Sequence, residues 1–96
     1  MELTKEMWEK YGYVTASSYR TRALKSLEGE TKIPSQIARD TGLKPNHISK
    51  TLSELKAQEL IECINPEARK GRLYRHTDKG RILSESIGDS SGSSLN

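Results

Sequence analysis

The segment Thr41-Gly42-Leu43-Lys44-Pro45 separates two stretches that each carry helical apolar spacing, and it is far too short for an ordinary loop between helices. Gly42 permits the positive φ that ends one helix. Pro45 lacks a backbone N–H and has its φ preset, which suits the first turn of the next. The spacing predicts one helix from Pro34 to about Thr41, with Ile37 and Ala38 facing inward. A second runs from Pro45 to about Gln58, with Ile48, Leu52 and Leu55 as a narrow apolar stripe. The two must therefore cross at a sharp angle, with small Ala38 at the crossing and Leu43 and Ile48 filling it.

The rest of the chain supplies little to build on beyond this pair. With 96 residues, 32% hydrophobic and 30% charged, and no Phe, it has room for one domain with a small core of Leu and Ile. Upstream, Thr15 or Ser17 caps a helix predicted to reach about Glu28, with Ala16, Tyr19, Ala23, Leu24 and Leu27 at threes and fours before Gly29. The following "TKI" is expected to pair as a minor strand. Downstream, "LIECI" and "RLYRH" flank "NPEARKG", whose Pro and Gly mark a hairpin loop. Thr77-Asp78 then caps a last helix bearing Ile82, Leu83 and Ile87. At the N-terminus, Leu3, Met7, Trp8 and Tyr11 give a short helix one apolar side, with Gly12 expected to end it; that side either caps the core or receives a second copy of the chain. The division expected is an N-terminal segment at 1–14, a folded domain at 15–87 and a disordered polar tail, "GDSSGSSLN", at 88–96. The class is mainly α with a small β-hairpin (α+β).

Cys63 stands alone, so no intrachain disulfide forms, and it reads as a small buried strand residue rather than a redox sensor. No apolar run is long enough for a signal peptide or membrane helix, and a cytoplasmic protein with no membrane partner is expected. His47, His76 and Cys63 lie far apart, no metal-ligand spacing or phosphate-binding glycine loop occurs, and neither enzyme chemistry nor a metal or cofactor is expected.

Two helices joined by a three- or four-residue turn containing Gly make a helix-turn-helix, and the order helix, short strand, helix, helix, hairpin, helix is that of a winged helix: a three-helix core, a wing and a C-terminal helix. Over Thr15 to Leu83, through "YRTRALKSL", "PSQIARDTGLKPNHISKTLSEL" and "LIECINPEARKGRLYRHTDKG", the chain resembles the small winged-helix transcriptional regulators of archaea and bacteria, in the grouping of MarR-like and ArsR-like proteins. The resemblance implies DNA binding in the cytosol, commonly as a homodimer on a two-fold symmetric site. The sequence carries none of the long flanking helices through which MarR-like proteins dimerise, so the resemblance does not carry over a dimer interface, and a homodimer, where one forms, is expected to use the N-terminal segment or the last helix.

At 100° per residue, the face of the Pro45 helix opposite its apolar stripe carries Asn46, Lys50 and Ser53, flanked by His47 and Ser49. Asn46 suits adenine and Lys50 suits guanine or a phosphate, while His47 and Ser49 fit either role. Lys44 occupies the N-cap position without a capping oxygen, so the first-turn amides are expected to be served either by a DNA phosphate or by solvent. Arg69, Lys70, Arg72 and Arg75 crowd the hairpin with no acid among them. Residues 15–75 hold twelve Lys and Arg against seven Asp and Glu, whereas each end carries one more acid than bases, so the chain's +3 belongs to this region. Arg20 and Arg22 are expected to be solvated. The function expected is sequence-specific binding of double-stranded DNA as a transcriptional regulator, with the helix in the major groove and the wing on the backbone or minor groove. The alternative is a winged helix used for protein–protein interaction, which would need a more apolar face. RNA binding would need more exposed aromatics than Tyr74 near the basic cluster.

Overall fold

The computed structural model describes residues 3–92, with side chains as far as Ile87. Its elements in order are α1 (Lys5–Thr15), α2 (Ser18–Ser26), α3 (Pro34–Thr41), α4 (Pro45–Ala57), β1 (Ile61–Cys63), β2 (Tyr74–His76) and α5 (Asp78–Gly92). This is the winged-helix order, an α+β arrangement in which β1 and β2 form the wing.

Local chemistry sets most boundaries. Thr4 caps α1 by accepting from the Met7 amide at 3.1 Å, Ser17 caps α2 through the Arg20 amide at 3.2 Å, and Thr77 caps α5 through the Gly80 amide at 3.0 Å. Gln36 Oε1 accepts the Ile33 amide at 3.0 Å and so serves the start of α3, where Pro34 occupies the first turn. Gly42 ends α3 at φ 75°, as the sequence requires. At the end of α4 the left-handed position falls on Glu59, at φ 62°, and the Leu60 amide closes back on the Leu55 carbonyl at 3.1 Å.

Two expected boundaries are corrected. Gly12 does not end the first helix: α1 continues to Thr15, because Val14, fully buried, gives the last turn a place in the core that outweighs the modest helix cost of one glycine. The tail expected from Gly88 is helical as far as Gly92, since extending an existing helix costs far less than starting one. Residues 93–96 of that tail lie outside the described residues.

Leu24, Leu27, Ile37, Ile48, Leu55, Leu60, Ile61 and Leu83 form the centre of the core, with Met7 and Val14 of α1 and Ile87 of α5 at its margins. Each such side chain contributes about 1.5–3 kcal/mol on burial, which is how α2, α3 and α4 hold their mutual angles. Leu43, 7% exposed, and Ile48, 1% exposed, fill the bend of the helix-turn-helix. In the wing, Ile61 pairs with His76, Glu62 with Arg75 and Cys63 with Tyr74, antiparallel. The expected "TKI" strand is a single bridge, Lys32 exchanging both backbone hydrogen bonds with Tyr74 at 2.9 and 3.0 Å. Cys63 is half-buried in β1, its thiol 3.6 Å from Asn65 Oδ1.

Candidate nucleic-acid interface

Packing of Ile48, Leu52 and Leu55 against the core turns the opposite side of α4 outward, and Lys44, Asn46, Ser49, Lys50, Ser53 and Lys56 are all exposed along it. Lys44 precedes Pro45 with extended backbone and makes no side-chain cap, so the free amides of the first turn of α4 face outward beside an ammonium group.

A cleft runs along each flank of α4. The one towards the wing, about 240 Å³, is lined by Ser49, Ser53 and Lys56 of α4 together with Arg72, Tyr74 and Pro34. The one towards α2, about 230 Å³, is lined by His47, Lys50 and Thr51 of α4 with Ser17, Tyr19 and Arg20. His47 is not a free reader on the outer face: its ring stacks on Tyr19, centroids 4.8 Å apart and 29° between planes, and it is half-buried.

The wing loop is braced by Asn65, whose Oδ1 accepts the Leu73 amide at 2.7 Å and whose Nδ2 donates to the Gly71 carbonyl at 3.2 Å. Gly71, at φ 68°, makes the return. Arg72 donates from Nε to the Ala68 carbonyl at 2.7 Å, which holds its guanidinium at the mouth of the wing-side cleft. Arg69 and Lys70 are exposed at the tip. Arg75 stands apart from them. Side chains alternate along a strand, so Tyr74 faces the α4 cleft while Arg75 turns the other way, its Nε 2.8 Å from Glu62 Oε2 across the hairpin.

The distribution of ion pairs separates two populations of cation. In the body of the domain Lys10, Arg20, Lys25, Lys32 and Lys79 all have carboxylate partners within the chain. On α4 and the wing tip, Lys44, Lys50, Lys56, Arg69 and Lys70 have neither an ion pair nor a side-chain hydrogen bond among the described residues. Lys5, on α1, also has neither among the described residues, and Arg39, on α3, acts on Asp40 through its charge. The acid on the α2-facing flank of α4, Glu54, is consumed by Arg20 at 3.3 Å.

Arg20 is therefore not solvated as expected, while Arg22 is exposed as expected and also makes a hydrogen bond. Arg20 lies 3.9 Å over the Tyr13 ring and donates to the Tyr13 carbonyl at 2.9 Å, and Arg22 donates to the Thr41 carbonyl at 3.0 Å. Lys56 and Tyr19 are the lining groups that pattern reading passed over. Lys56 falls one turn beyond Ser53 on a visibly polar flank and was legible from helical spacing; Tyr19 was not, since only folding brings α2 beside α4.

His76, in β2, is set inward with Nε2 2.7 Å from the Leu24 carbonyl. Burial disfavours the imidazolium and holds its pKa below the ordinary 6.5, against the opposing pull of that hydrogen bond and of the Glu28 charge. No group of three or more potential metal ligands occurs among the described residues, and no helix is long and apolar enough to cross a membrane.

A bent helix pair with an exposed second helix and an adjoining hairpin defines a winged helix-turn-helix, and solved structures agree. The zinc-responsive MarR family member ZitR of Lactococcus lactis superposes at a TM-score of 0.63 and 25% identity, over 72% of this chain and 49% of that one. The winged-helix domain of Mb0332 from Mycobacterium bovis, described as homodimeric and a possible ArsR-family regulator, gives 0.67 and 23% over 83% and 74%. MepR of S. aureus, solved in a complex with DNA, gives 0.65 and 16% over 85% and 70%. The chain thus has the fold of the MarR- and ArsR-family regulators it resembles, and spans about half the length of the ZitR chains. No protein-family model matches it, and neither does any curated protein.

Proposed function

We propose that the chain binds double-stranded DNA as a transcriptional regulator, with α4 in the major groove and the wing on the adjoining backbone or minor groove. The observation that carries this is the set of uncommitted cations on α4 and the wing tip, in a domain whose other cations are largely paired. Unpaired charge on one face costs solubility nothing and suits a polyanion.

The flanking clefts refine the roles. A helix about 10–12 Å across, seated in a groove about 12 Å wide, has a sugar-phosphate backbone on each side. Lys56 and Arg72 with Ser49 then serve one strand, and Tyr19 with His47 the other. Asn46, Lys50 and Ser53 at the crown address base edges, and Lys44 with the first-turn amides of α4 takes a phosphate. Arg69 and Lys70 hold the backbone beyond. Arg75, engaged with Glu62, is the least available of the candidates.

A homodimer fits the same reading. Trp8 is 57% exposed on α1 and meets Tyr11 edge-on at 5.4 Å, an aromatic pair open to a second copy. The Mycobacterium bovis neighbour is described as homodimeric. Two copies would read two half-sites related by a two-fold axis.

The test is binding of a selected duplex and of random duplex by the parent and three variants. Lys50→Ala should flatten the preference between the two, whereas Arg69→Ala and Lys56→Ala should weaken both alike. Equal affinity of all three variants and the parent would refute the assignment and favour protein docking.

A further inference from the structure

A buried cation and a half-buried one tie α1 to the rear of α4. Lys10 of α1, 9% exposed, donates from Nζ to the Gln58 carbonyl at 2.7 Å and to Gln58 Oε1 at 3.3 Å. Gln58 is the C-cap of α4, so this ammonium lies at the negative end of that helix. Arg20 of α2 joins the Tyr13 carbonyl in the last turn of α1, at 2.9 Å, to Glu54 Oε1 of α4, at 3.3 Å. Glu54 and Gln58 are four residues apart and share one face. Ser49, Ser53 and Lys56 line the wing-side cleft on another. Charge-assisted hydrogen bonds are directional, whereas apolar side chains permit a helix to roll or slide by a few tenths of an ångström. Replacing buried ion pairs by well-packed apolar groups is often neutral or stabilising, so stability alone gives little reason for cations at these places.

We propose that Lys10 and Arg20 are positioning residues for DNA reading: they fix the roll and tilt of α4 against α1, and sequence preference depends on that docking. The inference rests on the DNA-binding reading above. Base recognition tolerates displacements of only about 0.5 Å or 10–20°, while phosphate attraction tolerates far more. Loss of either tie should therefore reduce selectivity, and loss of the Lys10 tie, which lies off both clefts, should leave bulk DNA affinity intact. It also makes α1, with exposed Trp8, the element through which a bound partner would alter recognition.

The variants are Lys10→Met, which keeps the length of the buried stem, and the double Arg20→Met with Glu54→Leu, which leaves no unpaired buried charge. Lys25→Met, whose partners are Glu28 and the Ser84 carbonyl, is the control remote from α1 and α4. Hydrogen exchange in the free protein should quicken at least tenfold at α4 amides 53–58 in the test variants, with α2 and α3 unchanged. Selection from a randomised duplex pool should show the ratio of preferred to random affinity falling about tenfold in both test variants, with the random-duplex affinity of Lys10→Met, whose site lies off both clefts, within twofold and its salt slope unchanged. Lys10→Arg should restore both. Unaltered α4 exchange and selectivity in folded test variants would overturn the proposal, as would exchange quickened uniformly through the domain, the mark of simple destabilisation. A parent protein that selects no sequence would count against DNA reading itself, and α4 exchange would still decide whether these cations hold the helix.

Discussion

Gly80 sits in the first turn of α5, where a Cβ would run into the Leu60 carbonyl, and the Thr77 amide beside it donates to that same oxygen at 3.1 Å. Gly80→Ala is therefore expected to destabilise the fold by about 2–3 kcal/mol, because the obstacle is backbone and cannot swing aside. Gly12, also inside a helix, has open space around its Cα. There alanine should stabilise by about 0.5–1 kcal/mol through helix propensity. Thermal unfolding of the two variants should thus shift in opposite directions. His76 adds a pH dependence. Its folded pKa lies below 6.5, so between the two values the unfolded chain binds the extra proton. The stability it contributes is complete above pH 6.5 and is lost as pH falls through the folded pKa. His76→Gln, which retains a donor for the Leu24 carbonyl, should lose less melting temperature than the parent between pH 7 and pH 5; an equal loss would show that His76 is not the sensing group.

Among the elements, α4 makes the clearest two-sided prediction. Lys44→Ser installs a capping oxygen and should raise stability by about 1 kcal/mol. The same change should weaken DNA binding and shallow its salt dependence if a phosphate completes the helix start. Unchanged affinity and slope would show that solvent alone serves those amides. The starts of α3, α4 and α5 were readable because Pro34, Pro45 and Thr77 act locally, and Gly42 fixed the bend. Gly12 misled because local propensity is weak beside the burial of Val14, a tertiary contact. Arg20 misled for the same reason: its acceptor on Glu54 lies 34 residues away. Polar faces of single elements can be read from periodicity, whereas the pairing that leaves some cations free and others engaged exists only after the helices pack.

For the molecule as a whole, the proposed function separates holding from reading: uncommitted cations would hold the polyanion, and the docked geometry of α4 would read it. A homodimer through α1 would place two such units on one duplex, and sedimentation should then show a dimer in the parent that Trp8→Glu reduces to monomer without unfolding it. A dimer unmoved by that substitution would assign the interface elsewhere. The central claim, that α4 and the wing grip a duplex through free cations, is tested most directly by fluorescence anisotropy of the protein with random duplex DNA over a series of salt concentrations. With about five phosphates engaged per copy, log affinity against log salt should fall with a slope of about −4 to −5. Negligible binding, or binding indifferent to salt, would contradict it.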